Sequence, residues 1–500
     1  MVIERPAQVL ERLGQFLHTP LVTVIERHLA GDPEAQVLAH FQETVRQVPA
    51  YRRFLLERGV NPADVTDLAA FQSLPLTDKP TYMLAYPLAE RCRGGQLTAC
   101  DRLAVSSGST GVPTFWPRAM LDELDIALRF EQVFRNSFQA HRRTTLAVVC
   151  FPLGNWVGGV FTASCCWHLA LKGYPLTVAT PGNQPAEILR VVRELAPHFE
   201  QTVLLGYPPF VKDVVDAGSG SGISWADCRI RMVFAGEVFS EQWRELMADR
   251  VGSNRPCYDF ASLYGTADGG VLGVETPLSI AIRRFLADRP QAARQLFGES
   301  RLPTLVQYDA MSRFFEVVDG TLVISGPNGI PLVRYHIADR GGVQPHRAMM
   351  ELVRDWGADL RAYGLEDGDS TPALPFVWVF GRADFTVSFY GANVFPENVV
   401  VGLEQPGIKD WVTGKFVMEV GTDEGGSDSL RITVELAPDQ PESAGRNESL
   451  AQSIHQQLLR LNSEFANYVP PLRQTPRVEL RRFGDPEFFP RGVKHRYTRK

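Results

Sequence analysis

A run of small hydroxyl and glycine residues follows a short apolar segment that ends at Val105. The run comprises Ser106, Ser107, Gly108, Ser109, Thr110 and Gly111. Glycines allow backbone N–H groups to turn toward an anion, and the hydroxyl groups add donors without bulk. The run therefore predicts a phosphate-binding loop, and the alternative is a polar surface turn. It is not the P-loop of common NTPases, because Val112 and Pro113 follow Gly111 where that motif needs a lysine and a hydroxyl residue.

The composition limits the classes of protein that could carry such a loop. A chain of 500 residues exceeds one hydrophobic core, so we expect two or more domains. A net charge of −6 argues against a general binder of nucleic acid or anionic membranes. Seven cysteines without a C-x-x-C spacing favour reduced thiols in a cytosolic protein over disulfides or a zinc site.

The segment from Thr144 to Leu171 contains no Asp, Glu, Lys or Arg and is long enough to span a bilayer. Pro152 and several glycines interrupt it, which a membrane helix tolerates only with neighbouring helices. We therefore expect a buried strand, a turn and a core helix near 159–171. The N-terminus has charges of both signs and no continuous apolar run, unlike a signal peptide.

Strand-like and helix-like segments alternate between about residues 100 and 340. Short runs rich in β-branched residues, such as "TLAVVCF", "TVLLGY", "IRMVFAG" and "TLVISG", are separated by helix candidates at 185–197 and 240–250. Another helix is predicted over 34–58, and the glycine-rich residues 218–222 are predicted to form a loop. This alternation predicts an α/β fold with mostly parallel sheets.

The pattern changes near 380–384. "KFVMEVG" and "SLRITVELAP" flank "TDEGGSD" as in a β-hairpin, and an amphipathic helix and a further strand follow. These features predict a large α/β domain over 1–383 and a small α+β domain over 384–500.

Six segments in order resemble motifs of the adenylate-forming (AMP-forming) acyl-CoA ligase superfamily, and in particular its phenylacetate–CoA ligase-like branch. They span 48–82, 106–114, 232–245, 258–270, 329–343 and 379–399. The resemblance implies the fold of that superfamily, with a small C-terminal domain that turns between two half-reactions. It also implies three cofactors or co-substrates: ATP, Mg²⁺ and coenzyme A.

The resemblance implies roles for individual residues. The loop from Ser106 to Gly111 would hold the ATP phosphates, Asp268 would help to hold Mg²⁺ where the family usually has Glu, and Asp339 would bind the ribose hydroxyls. The adenine side would be formed by Gly236, Glu237, Tyr264 and Gly265, with Arg382 on the ribose or the phosphate. Without the resemblance, Tyr264 would be interpreted as a core residue and Asp268 as a turn residue.

The same resemblance assigns residues to the C-terminal part. Asp384 would be the hinge, and Gly391 would line the channel for the CoA thiol. Lys494 would bridge the acid and the α-phosphate, with one residue inserted after Gly492, and Lys500 is the alternative. Two departures from the family pattern are Val112 in place of a common lysine and an insertion over 344–376, which could cap the site, contact a carrier protein or have no catalytic role.

The acid pocket of the branch would be lined by Trp156, Tyr207, Phe210, Phe234, Ala235 and Phe260. Apolar and aromatic walls favour an aryl or medium-chain carboxylic acid over a free amino acid. Ordinary core packing is the alternative for these aromatic residues.

The sequence thus predicts a ligase that activates a carboxylic acid with ATP and passes the acyl group to coenzyme A. Its partners would be small molecules, without nucleic acid or membrane, and the branch makes a homodimer one expected arrangement. Two alternatives remain: an adenylate-forming enzyme that serves a carrier protein or adenylylates a cofactor, and a catalytically degenerate binding member.

Overall fold

The computed structural model describes residues 4–105, 114–155, 157–299, 301–369, 371–382, 387–390, 392–422, 428–462, 465–466, 469–490 and 495–499. Its N-terminal part is helical and contains α1 (Glu4–His18), α2 (Leu21–Leu29), α3 (Pro33–Gln47), α4 (Pro49–Leu56) and α5 (Leu68–Gln72). The prediction of one helix over 34–58 is wrong, because Pro49 cannot donate a helical hydrogen bond and starts a new helix after the extended Val48.

A two-stranded hairpin follows, made of β1 (Arg102–Val105) and β2 (Phe115–Arg118). Val105 is paired with Phe115, so the predicted phosphate loop connects the paired ends of these strands. Residues 106–113 themselves lie outside the described residues.

The centre of the fold is a mixed sheet, in which eleven strands are described, with the order β10-β11-β12-β13-β9-β8-β7-β6-β5-β3-β4. The strands are β3 (Thr145–Val149), β4 (Leu176–Ala179), β5 (Gln201–Gly206), β6 (Ile230–Ala235), β7 (Phe260–Thr266), β8 (Gly270–Val274), β9 (Thr304–Gln307), β10 (Phe314–Val318), β11 (Thr321–Gly326), β12 (Leu332–Gln344) and β13 (Phe376–Arg382). The helices of this region are α6 (Met120–Gln132), α7 (Val157–Leu171), α8 (Pro185–Leu195), α9 (Pro208–Gly220), α10 (Glu241–Val251), α11 (Pro256–Asp259), α12 (Pro277–Asp288) and α13 (Pro290–Phe297).

The α/β fold class is confirmed, but the prediction of mostly parallel sheets is wrong, because the main sheet is mixed and only one part of it pairs in parallel. Strands β4, β3, β5, β6 and β7 pair in parallel, and helices connect them, as the alternating pattern predicted. The other part is antiparallel. One cause is local: Asp319 and Gly320 both have positive φ and form a two-residue turn that joins β10 to β11 as a hairpin.

The charge-free segment that could have crossed a membrane forms β3 and α7, as predicted. The 15 residues of α7 bury Cys165, Cys166 and Leu169 in the core, whereas a span needs about 20 residues. Among the described residues, no helix combines the length and the apolar character needed to cross a bilayer.

Residues 218–222 are not the loop that their glycines predicted, because α9 continues to Gly220. The reason is packing. A Cβ atom on Gly218 would lie 2.2 Å from the ring of Trp225, so glycine lets that ring lie directly on the helix. The Trp225 indole N–H also donates to the carbonyl of Val215 in the same helix, at 2.9 Å.

The C-terminal part forms its own core around a small sheet. Its elements are β14 (Val387–Phe389), β15 (Ala392–Val394), α15 (Pro396–Leu403), β16 (Val412–Thr422), β17 (Asp428–Leu436), α16 (Ala444–Leu461) and β18 (Arg477–Arg481). The helix α14 (His346–Asp355) precedes β13 and lies outside this part. The predicted hairpin is confirmed as the antiparallel pair β16–β17, and β18 adds in parallel to β17. We call β16, β17 and β18 the small sheet.

The 344–376 insertion packs on the face of the main sheet that lies away from Tyr264. Met349 and Val353 of α14 are buried in a cluster with Phe376, and Trp356 stacks on Phe285 at 6.0 Å. Neighbouring residues of β13, such as Val377, face the cluster that contains Tyr264. A strand presents successive side chains to opposite faces, so the insertion packs behind the predicted nucleotide site.

Glu404, at the end of α15, is buried between the small-sheet region and the main sheet. Ser240 donates a hydrogen bond to one of its oxygens, and the other has no hydrogen-bond partner among the described residues. Burial raises the pKa of Glu404 to about 8, although Ser240 and Arg283 lower it, and nearby Glu241 adds to the increase. The carboxyl is therefore protonated in the folded protein at neutral pH.

We expect the free energy of unfolding to carry a pH dependence from Glu404. Between the ordinary pKa near 4.5 and about 8, the folded state keeps a proton that the unfolded state has lost. Stability should then fall as pH rises, by about 1.4 kcal/mol per pH unit from this group. Urea unfolding of wild type and Glu404→Gln at several pH values would measure this, with the difference between them changing across the window. Parallel curves would contradict the prediction.

Candidate active site

Three predicted site residues lie where neighbouring parallel strands of the main sheet end. Tyr207 follows β5, and Gly236 and Glu237 follow β6. The carboxyl ends of parallel strands meet at one edge of a sheet, which is where α/β proteins bind ligands. Gly236 has φ of +100°, and its Cβ position lies 3.5 Å from the ring of Tyr207. Glycine thus permits the left-handed turn that brings Glu237 to accept a hydrogen bond from the Tyr207 hydroxyl.

The predicted adenine and ribose residues meet at the next strands. The Tyr264 hydroxyl donates to Oδ2 of Asp339 at 2.8 Å, although the two residues are 75 positions apart. Asp339 on β12 is also paired in register with Arg382 on β13. The side chain of Arg382 lies outside the described atoms. The Tyr264 ring is 6% exposed, and Phe315 stacks on it at 6.5 Å. Gly265 follows Tyr264 in β7.

Asp268 lies in the turn between β7 and β8, beside the nucleotide residues. The Tyr335 hydroxyl donates to its Oδ2 at 2.6 Å, and the Asn328 side-chain amide donates to its carbonyl oxygen at 3.2 Å. Trp116 of β2 packs edge-on against Tyr335 with ring centroids 6.4 Å apart. Trp116 is two residues after Thr114, so the end of the predicted phosphate loop is tied to the Asp268 turn.

Two buried arginines hold this turn. Arg118 donates to the carbonyl of Ala267, and Arg313 donates to that of Gly269 at 3.2 Å. Both guanidinium groups also donate to Oδ1 of Asn328, at 3.1 and 3.0 Å. Burial lowers the pKa of Arg118, and that of Arg313 to about 9, so both remain largely charged at neutral pH.

Sequence reasoning missed these two arginines and Asn328. Arg118 and Arg313 lie in segments without a recognisable motif. No local pattern shows that two residues so far apart in the sequence are buried together. Two positive charges behind the 267–270 turn favour binding of an anion in front of it.

Asp268 is compatible with Mg²⁺ as a single carboxylate ligand beside water and substrate phosphates. In the described part of the chain, no group of three or more acidic, His or Cys side chains could hold a metal ion by itself. Mg²⁺ usually binds through one or two carboxylates, with water and substrate phosphates completing its shell. Asp268 would supply a single carboxylate of this kind.

The predicted acid pocket is divided between the two faces of the sheet. Tyr207 and Ala235 are partly buried and pack on the cluster that includes Phe161. Phe234 and Phe260 stack at 6.3 Å in the cluster behind the sheet and are fully buried there. Successive strand residues alternate between faces, so Phe234 lies opposite Ala235. Phe210 also packs on this rear cluster. The rear position of these three phenylalanines is the core alternative that sequence reasoning left open.

Several predicted residues lie outside the described residues, so the geometry at these positions stays a prediction. They are Ser106, Ser107, Gly108, Ser109, Thr110, Gly111, Trp156, Asp384, Gly391, Lys494 and Lys500.

Comparison with known proteins places this geometry among relatives. No family model matches the chain. The chain is 22% identical over 444 residues to phenylacetate–coenzyme A ligase of Aromatoleum evansii, covering 87% of this chain and 88% of the relative. It is 22% identical over 372 residues to the enzyme of the same name from Pseudomonas putida, covering 70% of each chain.

The fold is similar to that of a solved 2-hydroxyisobutyryl-CoA ligase in the postadenylation state. The TM-score is 0.64 at 14% identity, over 93% of this chain and 88% of that one. Similarity in sequence and similarity in fold thus point to the same group of proteins. They confirm the predicted resemblance: the chain is similar in sequence to phenylacetate–coenzyme A ligases and similar in fold to a solved CoA ligase.

Proposed function

We propose that the protein is an ATP-dependent, AMP-forming ligase that joins a carboxylic acid to coenzyme A through an acyl-adenylate. The observation that carries the proposal is the meeting of Tyr264 and Asp339 through a hydrogen bond of 2.8 Å, beside Arg382 and the Gly236–Glu237 turn. These residues come from four separate sequence motifs. Ligases of this kind are also the relatives that the chain matches over most of its length.

The reaction has two steps in this proposal. A carboxylate oxygen of the acid bonds to the α-phosphorus of ATP, the bond to the β-phosphate breaks, and pyrophosphate leaves. The thiol sulfur of coenzyme A then bonds to the acyl carbon, AMP leaves and the thiol proton is released. The first step brings two anions together, so it depends on positive charge and oriented donors at the site.

Each part of the described site has a task in the first step. Asp339 accepts hydrogen bonds from the ribose, and the Tyr264 ring lies along the adenine. Arg118 and Arg313 favour the polyphosphate from behind the Asp268 turn, and the loop from Ser106 to Gly111 supplies donors from in front. Asp268 would help to hold Mg²⁺ together with the substrate phosphates, and the ion would supply positive charge to the polyphosphate.

The acid would bind at the front of β5 and β6, beside Tyr207 and Ala235, and Trp156 is a further pocket residue predicted from the sequence. Tyr207 and Ala235 pack there against an apolar cluster that includes Phe161, and the Tyr207 hydroxyl donates to Glu237. An aryl or medium-chain acid can bury its apolar body there at little cost.

The proposed protein has two domains. The large domain covers 1–383 and the small domain 384–500, with Asp384 as the hinge and Gly391 on the path of the thiol. The separate core around the small sheet supports this division. Seven free cysteines are compatible with a cytosolic location.

The function is tested by offering purified protein MgATP and a panel of acids that includes arylacetates, benzoates and medium-chain fatty acids. We expect acid-dependent exchange of labelled pyrophosphate into ATP. With coenzyme A added, AMP and acyl-CoA should form in equal amounts. Exchange without consumption of coenzyme A would point to a carrier protein or another acceptor. No exchange with any acid would favour a non-catalytic binding member.

We expect Asp339→Ala to raise the KM for ATP by about 10- to 100-fold, with a small effect on kcat. A hydrogen bond to a charged group contributes about 1.5–3 kcal/mol, and it would be lost equally in the ground and transition states. Steady-state kinetics at saturating acid would measure the change. Tyr264→Phe is the matched control, because it removes the hydroxyl partner of Asp339 but keeps the ribose acceptor. An unchanged KM in Asp339→Ala would remove this residue from the nucleotide site.

A further inference from the structure

The end of the chain adds to the edge of the small sheet. The Met418 N–H donates to the carbonyl of Tyr497 at 2.7 Å, and the Arg499 N–H donates to the carbonyl of Met418 at 3.0 Å. These bonds align residues 495–499 with β16, and Met418 forms a parallel bridge with Thr498. We call residues 495–499 the tail.

His495 secures the start of the tail. Burial lowers its pKa to about 4, so the ring is neutral, and its Nε2–H donates to the carbonyl of Phe416 at 2.7 Å. The ring stacks on Phe489 at 5.7 Å and meets Tyr497 edge-on at 4.6 Å. The tail therefore has a defined conformation on the small sheet, which directs the Tyr497 side chain.

The Tyr497 hydroxyl reaches from the tail to the main sheet. It donates to Oε2 of Glu237, while the Tyr207 hydroxyl donates to Oε1 of the same carboxylate. Burial and the adjacent Glu237 raise the pKa of both phenols, so both stay protonated and act as donors. One carboxylate in the Gly236–Glu237 turn thus holds the end of β5 and the tail together, although Tyr497 lies 260 positions after Glu237.

We propose that Tyr497 is a positioning residue whose hydrogen bond to Glu237 holds the tail at the active site during adenylation and is released for thioester formation. The inference rests on the proposed function. Lys494 precedes Tyr497 by three residues, so no more than about 11 Å of extended chain separates their Cα atoms. Fixing Tyr497 beside Glu237 therefore restricts where the lysine can lie.

A positioning role has a different kinetic signature from a structural one. The contact joins the tail to the main sheet in this arrangement, and it must break if the small domain turns. Its loss should slow the first half-reaction and leave the second unaffected. It should lower the rate of exchange without changing the KM for ATP, because the Tyr497 hydroxyl bonds to Glu237 and Tyr497 is not among the residues assigned to the nucleotide or the acid.

The experiment measures the half-reactions separately in Tyr497→Phe. Pyrophosphate–ATP exchange reports the first, and thioester formation from added acyl-adenylate and coenzyme A reports the second. We expect exchange to fall about 10- to 100-fold, the range for a lost hydrogen bond to a charged group. Thioester formation should stay near the wild-type rate. Equal losses in both half-reactions, or no loss in exchange, would overturn the proposal.

Two further variants sharpen the test. Tyr51→Phe is the control, because it removes a buried hydroxyl with no hydrogen-bond partner among the described residues, and it should behave as wild type in both assays. Glu237→Gln combined with Tyr497→Phe should cost little more than Glu237→Gln alone, because both changes break the same contact. Multiplicative losses would contradict the contact.

Hydrogen exchange separates this inference from the proposed function. In Tyr497→Phe, the Arg499 amide should exchange faster than in wild type, because the tail has lost its link to the main sheet. This readout needs no catalysis. If wild-type protein shows no pyrophosphate exchange, the proposed function and the adenylation role of Tyr497 are both refuted. Faster hydrogen exchange of the Arg499 amide in Tyr497→Phe would still support the contact between Tyr497 and Glu237. Unchanged protection would overturn the Tyr497 contact itself.

Discussion

Replacing Lys494 by alanine is expected to lower acyl-adenylate formation by about 10²- to 10³-fold, the usual cost of removing one donor that stabilises developing charge. The first step joins a carboxylate to a phosphate, and the ammonium group would offset the charge that accumulates between them. Val112 stands where the family commonly has a lysine, so the other candidate cations for the phosphates are Arg118, Arg313 and Arg382. Pyrophosphate exchange measures the loss, and thioester formation from added acyl-adenylate should persist.

Lys500→Ala is the control that decides between the two candidate lysines. Both lie in the same basic C-terminal segment, so a general effect of net charge would appear in both variants. Loss of exchange only in Lys500→Ala would assign the role to Lys500. Wild-type exchange in Lys494→Ala, with a normal thermal transition, would remove Lys494 from the mechanism.

Glu275→Gln is expected to lower the free energy of unfolding by about 3–5 kcal/mol, because it leaves a buried arginine without one of its carboxylates. Arg244 is fully buried and donates to Glu275 at 2.7 Å and to Glu241 at 2.9 Å. Burial opposes ionisation of Glu241, but Arg244 and Arg283 lower its pKa below the usual value. The four side chains thus form a buried network without net charge.

The network also supports the candidate site. Glu241 is the first residue of α10 and follows Glu237 by four positions, and Glu275 accepts a hydrogen bond from the Ser262 N–H of β7 at 2.8 Å. Disturbing it should loosen the turn that receives Tyr207 and Tyr497. Urea unfolding would measure the loss of stability.

The control is Glu187→Gln, which breaks an exposed pair with Arg190 on α8 and should change the free energy of unfolding far less, because solvent screens an exposed pair. Similar losses of unfolding free energy in Glu275→Gln and Glu187→Gln would show that burial does not make the Arg244 network more stabilising than an exposed ion pair.

Much of the fold could be predicted from local pattern. Short β-branched runs and amphipathic segments identified β3, β5, β6 and β11 and the helices α7, α8 and α10, and the hairpin of β16 and β17 was visible in its two runs and polar turn. The motifs of the candidate site were also visible, including Tyr264, Asp268 and Asp339. The errors arose where packing prevails over local preference, as at Gly218, which lies in a helix because it accommodates Trp225.

Other features required the tertiary structure. Only the folded chain inserts β13 between β12 and β9, which sets Asp339 against Arg382. Only burial shows that Phe234 and Phe260 pack behind the sheet, that Arg118 and Arg313 hold the Asp268 turn, and that Tyr497 reaches Glu237.

The sequence by itself determined the types of element, their order and the residues able to do chemistry, because side-chain period and backbone preference act over a few neighbouring residues. The tertiary structure decided which distant segments meet, which charges are buried and which face each aromatic residue occupies. Those outcomes depend on pairing and desolvation between segments that are far apart in the chain, and no local pattern encodes them.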